Sequence, residues 1–231
     1  MTAFDEDWRT RLAGYDRTPE FAKNLAYLIG LINPTLPPFK TEPAWGFVFV
    51  GIPGSGKSLV SKVIRRFHPA VVIAADWIFF KALVGERKLE EYYNAYFYRD
   101  ALAKHYFAQG YSVVFDGGHR RAGPRAEILS LIREAHARPI LIQLETDLDR
   151  AAMRRVRQGG EFMMPWEEHL KDTQNFLDQL EELTPTEETY PNFLIDTNQD
   201  AETVTLAVLA GLRGNGVPMF GGLRERVKDL F

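Results

Sequence analysis

Gly51-Ile52-Pro53-Gly54-Ser55-Gly56-Lys57-Ser58 fits the pattern G-x-x-x-x-G-K-[ST], a loop built to cradle phosphate. The run before it, Gly46-Phe47-Val48-Phe49-Val50, reads as a short buried strand. The run after it, Leu59 to Phe67, carries apolar residues at helical spacing. Strand, glycine loop and helix together are the setting this motif requires. Gly51, Gly54 and Gly56 let the backbone wrap a polyphosphate with no Cβ in the way. Loop N–H groups and the helix N-terminus then point at the anion. Lys57 brings a point charge to the β- and γ-phosphates, and the Ser58 hydroxyl can ligate Mg2+. Pro53, Ser55 and Leu59 are counted with them as nucleotide-contacting positions. The pattern predicts a chain that binds ATP with Mg2+, and leaves open where the phosphate goes.

The chain has 231 residues, enough for one α/β domain with elaborations. Hydrophobic residues make up 45% and charged residues 26%, an ordinary globular balance. A net charge of −3 supplies no global basic field, which argues against nonspecific coating of nucleic acid. There is no cysteine, so disulfides, thiolate zinc sites and cysteine catalysis are excluded. Met1 to Asp7 is acidic and lacks the charge pattern of a signal peptide. The apolar run Leu25 to Ile32 is too short to span a bilayer. A soluble, cytoplasmic protein with no membrane partner is the expectation.

Five apolar runs read as strands: Gly46–Val50, Ala70 to Ala75 ending at Asp76, Ser112–Phe115 ending at Asp116, Pro139–Leu144, and Asn192–Ile195 ending at Asp196. They show little alternation, which suits strands buried on both faces of a parallel sheet. Helical segments separate them in a βαβ rhythm. Ligands of such sheets sit at the carboxyl ends of the strands, where Asp76, Asp116, Asp196 and the glycine loop converge. Residues 1–44 precede this core. Phe21, Leu25, Leu28, Ile29 and Ile32 mark an amphipathic helix there, broken at Asn33-Pro34-Thr35-Leu36-Pro37-Pro38. This segment is expected to dock on the core as a helical extension, with residues 45–231 forming the catalytic domain.

A P-loop enzyme that phosphorylates a hydroxyl needs a carboxylate to orient the acceptor or take its proton, and Asp76 is placed for that role. The alternative for Asp76 is capping of the next helix. Asp116 is expected to contact Mg2+ or the acceptor. Gly117 and Gly118 allow a tight turn, after which His119 and Arg120 are expected to project into the cleft. Arg150, Arg154 and Arg157 recur at i, i+4 and i+7, one helical face. With the glycine pair Gly159-Gly160 as a hinge, they suit a lid over about 150–165 that stabilises transferring charge and excludes water. Between Leu89 and Phe107 lie Tyr92, Tyr93, Tyr96, Phe97, Tyr98 and Tyr106, most of them assigned to packing. Trp77, beside Asp76, is the aromatic assigned to the acceptor.

These features together resemble the small P-loop kinases, closest in plan to the zeta-toxin-like and polynucleotide-kinase-like groups, which are also classed as AAA-type ATP-binding proteins. Gly110 to Arg120 looks like the zeta-toxin third strand and its arginine. Gly160 to Pro165, with Gln174-Asn175-Phe176-Leu177 and Leu180-Glu181-Glu182-Leu183, resembles sugar-acid kinases such as gluconate kinase. The resemblance covers about Gly46 to Leu212. It implies a three-layer P-loop NTPase sandwich with a five-stranded parallel sheet in the order 2-3-1-4-5. It also implies Asp76 as base, Arg154 or Arg157 as lid arginine, Arg150 on the nucleotide, and Thr197 and Asn198 near the adenine. Phe79 stands where polynucleotide kinases carry an arginine.

The leading expectation is a kinase acting on a hydroxyl of a small metabolite of sugar or nucleotide-sugar type. A kinase for the 5′-hydroxyl end of a nucleic acid is the alternative, favoured by Arg120, Arg121 and Arg125. A third class is a nucleotide-gated switch or ATPase, or a zeta-type toxin with an antitoxin partner. A motor needs a glutamate beside Asp116, and that neighbour is Gly117.

Overall fold

In the computed structural model, residues 13–82, 93–158 and 166–220 are described. Strand β1 (Trp45–Val50) lies at the centre of a five-stranded sheet, between β3 (Ser112–Phe115) and β4 (Arg138–Glu145). Strands β2 (Ala70–Ile73) and β5 (Asn192–Asp196) form the two edges, giving the order β2-β3-β1-β4-β5. Every pairing is parallel. The sheet is the one implied by the sequence, in the same order. Its strands are apolar throughout because both faces are covered.

Period-two alternation along β1 divides the core. Phe47 and Phe49 pack with Val60, Ile64, Val208 and Leu212 on one face. These belong to α2 (Lys57–Phe67) and α9 (Ala201–Gly214). Val48 and Val50 pack with Leu28, Tyr98, Leu102 and Ile132 on the other. Those come from α1 (Pro19–Ile32), α4 (Asn94–Ala108) and α5 (Ala122–Glu134). Gly46 is required where α5 crosses β1: a Cβ there would lie 2.5 Å from the Ile132 side chain.

Residues of α1 share this second core. Phe21 stacks on Tyr98 with centroids 4.6 Å apart. The Tyr98 hydroxyl receives Asn24 Nδ2 at 3.1 Å and lies 2.9 Å from the Tyr15 hydroxyl. Tyr106 donates to Asn33 Oδ1 at 3.2 Å. Tyr98 and Tyr106 therefore serve packing, whereas Tyr92 lies outside the described residues. Among the described residues, no helix is long and apolar enough to cross a membrane.

One strand boundary differs from expectation. β2 stops at Ile73, and Ala75–Trp77 forms a single helical turn, α3, leading into a π-helical turn over Ile78–Ala82. Ala74, still extended, occupies the N-cap, and its carbonyl accepts from the Ile78 N–H at 3.1 Å. Asp76 thus sits on a helical turn beyond the strand and is not its capping residue.

Candidate active site

The phosphate loop runs from the end of β1 into α2. Gly54 and Gly56 hold positive φ of 83° and 86°, conformations that side chains resist. Gly54 also lies so close to the Ala151 carbonyl that a Cβ would collide with it. Ala151 belongs to α6 (Leu148–Gln158), so the loop and the proposed lid helix are in backbone contact. Lys57 Nζ donates to the Ile52 carbonyl at 2.6 Å and approaches Ser55 Oγ at 3.4 Å. The Ser58 hydroxyl is exposed next to it.

Burial pushes the Lys57 ammonium down to about 8, against the pull of Asp116 and then Asp76, while Arg120 and Arg155 lower it further. Both predicted carboxylates and two arginines therefore act on one lysine. Burial also raises the Asp116 carboxyl; Lys57 and Ser61 oppose that rise, and Asp76 adds to it. The Ser61 hydroxyl is buried and meets no ordinary hydrogen-bond geometry among the described residues. The Asp116 N–H donates to the Ile73 carbonyl at 2.9 Å, which ties the ends of β2 and β3 together. The exposed Asp76 follows from the first of these ends.

Ser58 and Asp116 are hard oxygen donors, the chemistry that suits Mg2+ and its waters. No group of three His, Cys, Asp or Glu side chains forms a metal cage among the described residues.

The loop after β3 presses on the phosphate loop. A Cβ on Gly118 would sit 2.7 Å from the Gly51 carbonyl oxygen and 3.7 Å from Lys57 Nζ. His119 does not project into the cleft as expected. Its ring folds back, with Nε2 3.4 Å from the Phe115 carbonyl and Cε1 3.0 Å from where a Gly117 Cβ would stand. Burial first, then Arg99, pushes its pKa down to about 3, so the ring is neutral. Arg120 acts electrostatically on Lys57, and its guanidinium lies 4.1 Å from the centre of the Phe176 ring on α7 (Trp166–Leu177).

Arg125, offered above as a nucleic-acid contact, is instead fully enclosed (0% exposed). Its Nε and Nη2 pair with Glu187 at 2.6 and 2.9 Å. Nη1 donates to the carbonyls of Arg120 and Glu181 at 2.9 and 3.0 Å, and Nη2 to that of Glu182 at 2.7 Å. It fixes the Arg120 loop from behind and touches no solvent. Glu187 belongs to the short α8 (Pro185–Glu188), where Thr184 and Glu187 form a capping box.

The three arginines in register on α6 do not share one job. Arg154 donates from Nη1 to the Gly54 carbonyl at 3.2 Å and from Nη2 to the Thr197 carbonyl at 2.6 Å. Arg150 donates to the Asn198 carbonyl. Thr197, buried, donates through Oγ1 to the Glu145 carbonyl at 2.9 Å and lies against Gly56. Arg154 thus ties the loop after β5 to the phosphate loop, and Arg150 holds that same β5 loop against α6. Arg157 is exposed, and among the described residues its hydrogen-bond partner is Met153 Sδ, at 3.6 Å, and not the phosphate loop. The reason is axial: seven residues advance a helix by about 10 Å, which carries Arg157 past the loop that Ala151 touches. The residue missed by spacing is Arg155. It pairs with Asp172 at 2.6 Å, donates to Thr173 Oγ1 at 2.8 Å, and lies 5.2 Å from the Phe176 ring centre. Gly159, Gly160 and the segment through Pro165 lie outside the described residues. Trp77 and Phe80 are exposed beside Asp76, and Phe79 is buried.

A family model described as an AAA domain matches residues 47–183. Among solved structures, a fungal RNA kinase aligns with a TM-score of 0.56 at 13% identity, covering 81% of this chain and 94% of its own. A structure from the PezAT chromosomal toxin-antitoxin system of Streptococcus pneumoniae gives 0.53 at 11% identity, covering 90% of this chain and 96% of its own. Kti12 of Chaetomium thermophilum, in complex with ADP-AlF3, gives 0.52 at 17% identity, covering 74% of this chain and 98% of its own. At these identities the likeness is one of fold. No curated protein matches the chain.

Proposed function

We propose that this chain, a member of the AAA domain family, is an ATP- and Mg2+-dependent phosphotransferase. It moves the γ-phosphate to a hydroxyl of a small metabolite of sugar or nucleotide-sugar type. What supports this reading is that Asp116, just past β3 and tied by its N–H to the Ile73 carbonyl at the end of β2, and Asp76, on the turn after β2, both act electrostatically on Lys57 of the phosphate loop. Lys57 would hold the β- and γ-phosphates. Asp76, exposed at the cleft, would accept the proton of the acceptor hydroxyl as its oxygen bonds to the γ-phosphorus. The bond from that phosphorus to the β-γ bridging oxygen breaks, and ADP leaves. Mg2+, when bound, would be held by Ser58 and Asp116 and would neutralise charge on the phosphates. Arg154 and Arg150 would hold the Thr197–Asn198 loop on the nucleotide side.

Exposed Trp77 and Phe80 beside Asp76 supply a face on which a sugar ring or a base can stack. The nucleic-acid alternative loses Arg125 to the core, and with it part of its basic surface. The test is ADP production from Mg-ATP with and without pooled sugars, sugar acids and nucleotide-sugars, beside a 5′-hydroxyl oligonucleotide. Turnover stimulated by the metabolite pool supports the proposal. Turnover indifferent to every acceptor sinks it in favour of a switch or ATPase.

A further inference from the structure

We propose that the open edge of β5 pairs antiparallel with β5 of a second copy of this chain, about a two-fold axis through Leu194. β5 borders the sheet and has β4 on one side only. The Leu141 N–H donates to the Pro191 carbonyl and the Thr197 N–H to the Glu145 carbonyl, each at 2.9 Å. Between those bonds the register is unbroken, from Leu141 opposite Asn192 to Glu145 opposite Asp196. Main-chain groups alternate in direction along a strand, so the N–H and C=O of Phe193 and Ile195 face β4. Those of Asn192, Leu194 and Asp196 face outward, and among the described residues no hydrogen bond reaches them. Sheet edges are commonly guarded by charge, proline or a bulge. Between Pro191 and Asp196 this edge carries none of these.

A second copy fits this edge because the edge is self-complementary. An axis along the sheet normal at Leu194 sets Leu194 against the partner's Leu194 and Asn192 against the partner's Asp196. Every outward-facing residue then meets another outward-facing one and exchanges both main-chain bonds with it. An axis at Phe193 would leave Asp196 unpaired, and one at Ile195 would leave Asn192 unpaired. The side chains favour the same register. Phe193 and Ile195 pack into the core beneath α9. Alternation puts Leu194 on the opposite face, where it is 59% exposed. An exposed apolar side chain thus meets its own copy, and each Asp196 carboxylate meets a neutral amide instead of a second carboxylate. On the α9 side there is room. A Cβ on Gly211 would lie 2.2 Å from the Phe193 ring, so this strip of α9 overlies β5. Ala207 and Gly214, one turn to either side, share the strip and add no long side chain to it.

The pairing does not depend on what the site phosphorylates, and mass rather than turnover reads it. Sedimentation equilibrium of the full-length chain at about 0.2 mM, where even weak pairs are populated, should give the mass of a dimer. Leu194→Lys and Leu194→Asp each set like charges across the axis and should each weaken association about ten-fold or more. An equal mixture of the two should regain the dimer, because the axis then sets an ammonium against a carboxylate. Leu206→Lys adds the same charge at an exposed leucine on α9 and should stay dimeric. A second reading needs no variant. The Leu194 amide faces no strand of its own chain, so its hydrogen exchange should slow as concentration rises from about 5 μM to 0.2 mM. A monomeric wild type at the higher concentration, a dimer that survives both Leu194 changes, a mixture that stays monomeric, or exchange at Leu194 that ignores concentration would each overturn the proposal.

Discussion

Replacing Arg125 by methionine tests the frame behind the site. Arg125 is 0% and Glu187 3% exposed, so neither charge is screened by water. The substitution leaves the Glu187 carboxylate buried without its partner. It also strips a cationic donor from the carbonyls of Arg120, Glu181 and Glu182. Breaking a buried ion pair from one side costs about 3–5 kcal/mol. At this chain length that lowers the melting temperature by roughly 10 °C. Arg125→Lys keeps the charge, loses the fork, and should fall between the two.

The pH dependence carries a sign that distinguishes this account from simple loss of packing. Burial alone would raise the Glu187 carboxyl, but bonds from Arg125 and Thr184 hold it below its ordinary value. The pair therefore stabilises the wild type above the unfolded carboxylate pKa, and this is lost as pH falls through the lower folded value. In Arg125→Met only burial and the Thr184 bonds remain, the folded pKa rises, and the deficit relative to wild type shrinks as pH falls toward 5. Urea denaturation at pH 7 and pH 5 reads this directly. A loss below about 1 kcal/mol at pH 7, ordinary for a surface change, or a deficit that does not shrink in acid, would refute the reasoning.

Other consequences are as concrete. Lys57, pushed down to about 8 by burial, should regain its charge on binding nucleotide, so binding takes up a proton near that pH and weakens as pH rises. Calorimetry in two buffers of different ionisation enthalpy checks it, and zero uptake contradicts it. His68, buried between the Pro218 carbonyl at 2.8 Å and Ser112 Oγ at 2.9 Å, has a pKa lowered by burial to about 4. The unfolded chain protonates first as pH falls from 6.5, so stability should drop by about 3 kcal/mol down to the folded value. A denaturation series that stays flat over this range, or slopes equally in His68→Gln, argues against it. Gly118→Ala drives a Cβ against the Gly51 carbonyl and should weaken nucleotide binding about ten-fold, a cost near 1.4 kcal/mol. Unaltered affinity would mean the two loops are not in firm contact.

The phosphate loop and the sheet were legible because their signals are local. Eight residues specify the loop, and continuous apolar runs specify strands covered on both faces. What escaped depends on distant partners. Arg125 reads as a surface charge until Glu187, 62 positions away in sequence, is placed against it. The Thr184-x-x-Glu187 capping box was readable, but its second role as a counter-ion was not. On α6, helical period grouped Arg150, Arg154 and Arg157 correctly as a face without saying where that face points. The small pair Ala151-Ala152 marks the buried side, and its weight was missed. His119 folds back because Gly117, lacking a Cβ, leaves room for the ring, a consequence of packing that residue type alone does not announce. Asp76, read as the end of the second strand, lies instead on the helical turn that follows it, because the strand stops at Ile73.

The central claim is that Asp76 serves phosphate transfer to a hydroxyl. The most direct test follows labelled γ-phosphate from Mg-ATP into sugars, sugar acids and nucleotide-sugars, and separately into a 5′-hydroxyl oligonucleotide, with wild type and Asp76→Asn. Label should appear in a small-molecule product, and the variant should lose it by about 10²-fold or more while still binding ATP, as expected for a general base. Label found only in free phosphate, at the same rate in Asp76→Asn, would contradict the account.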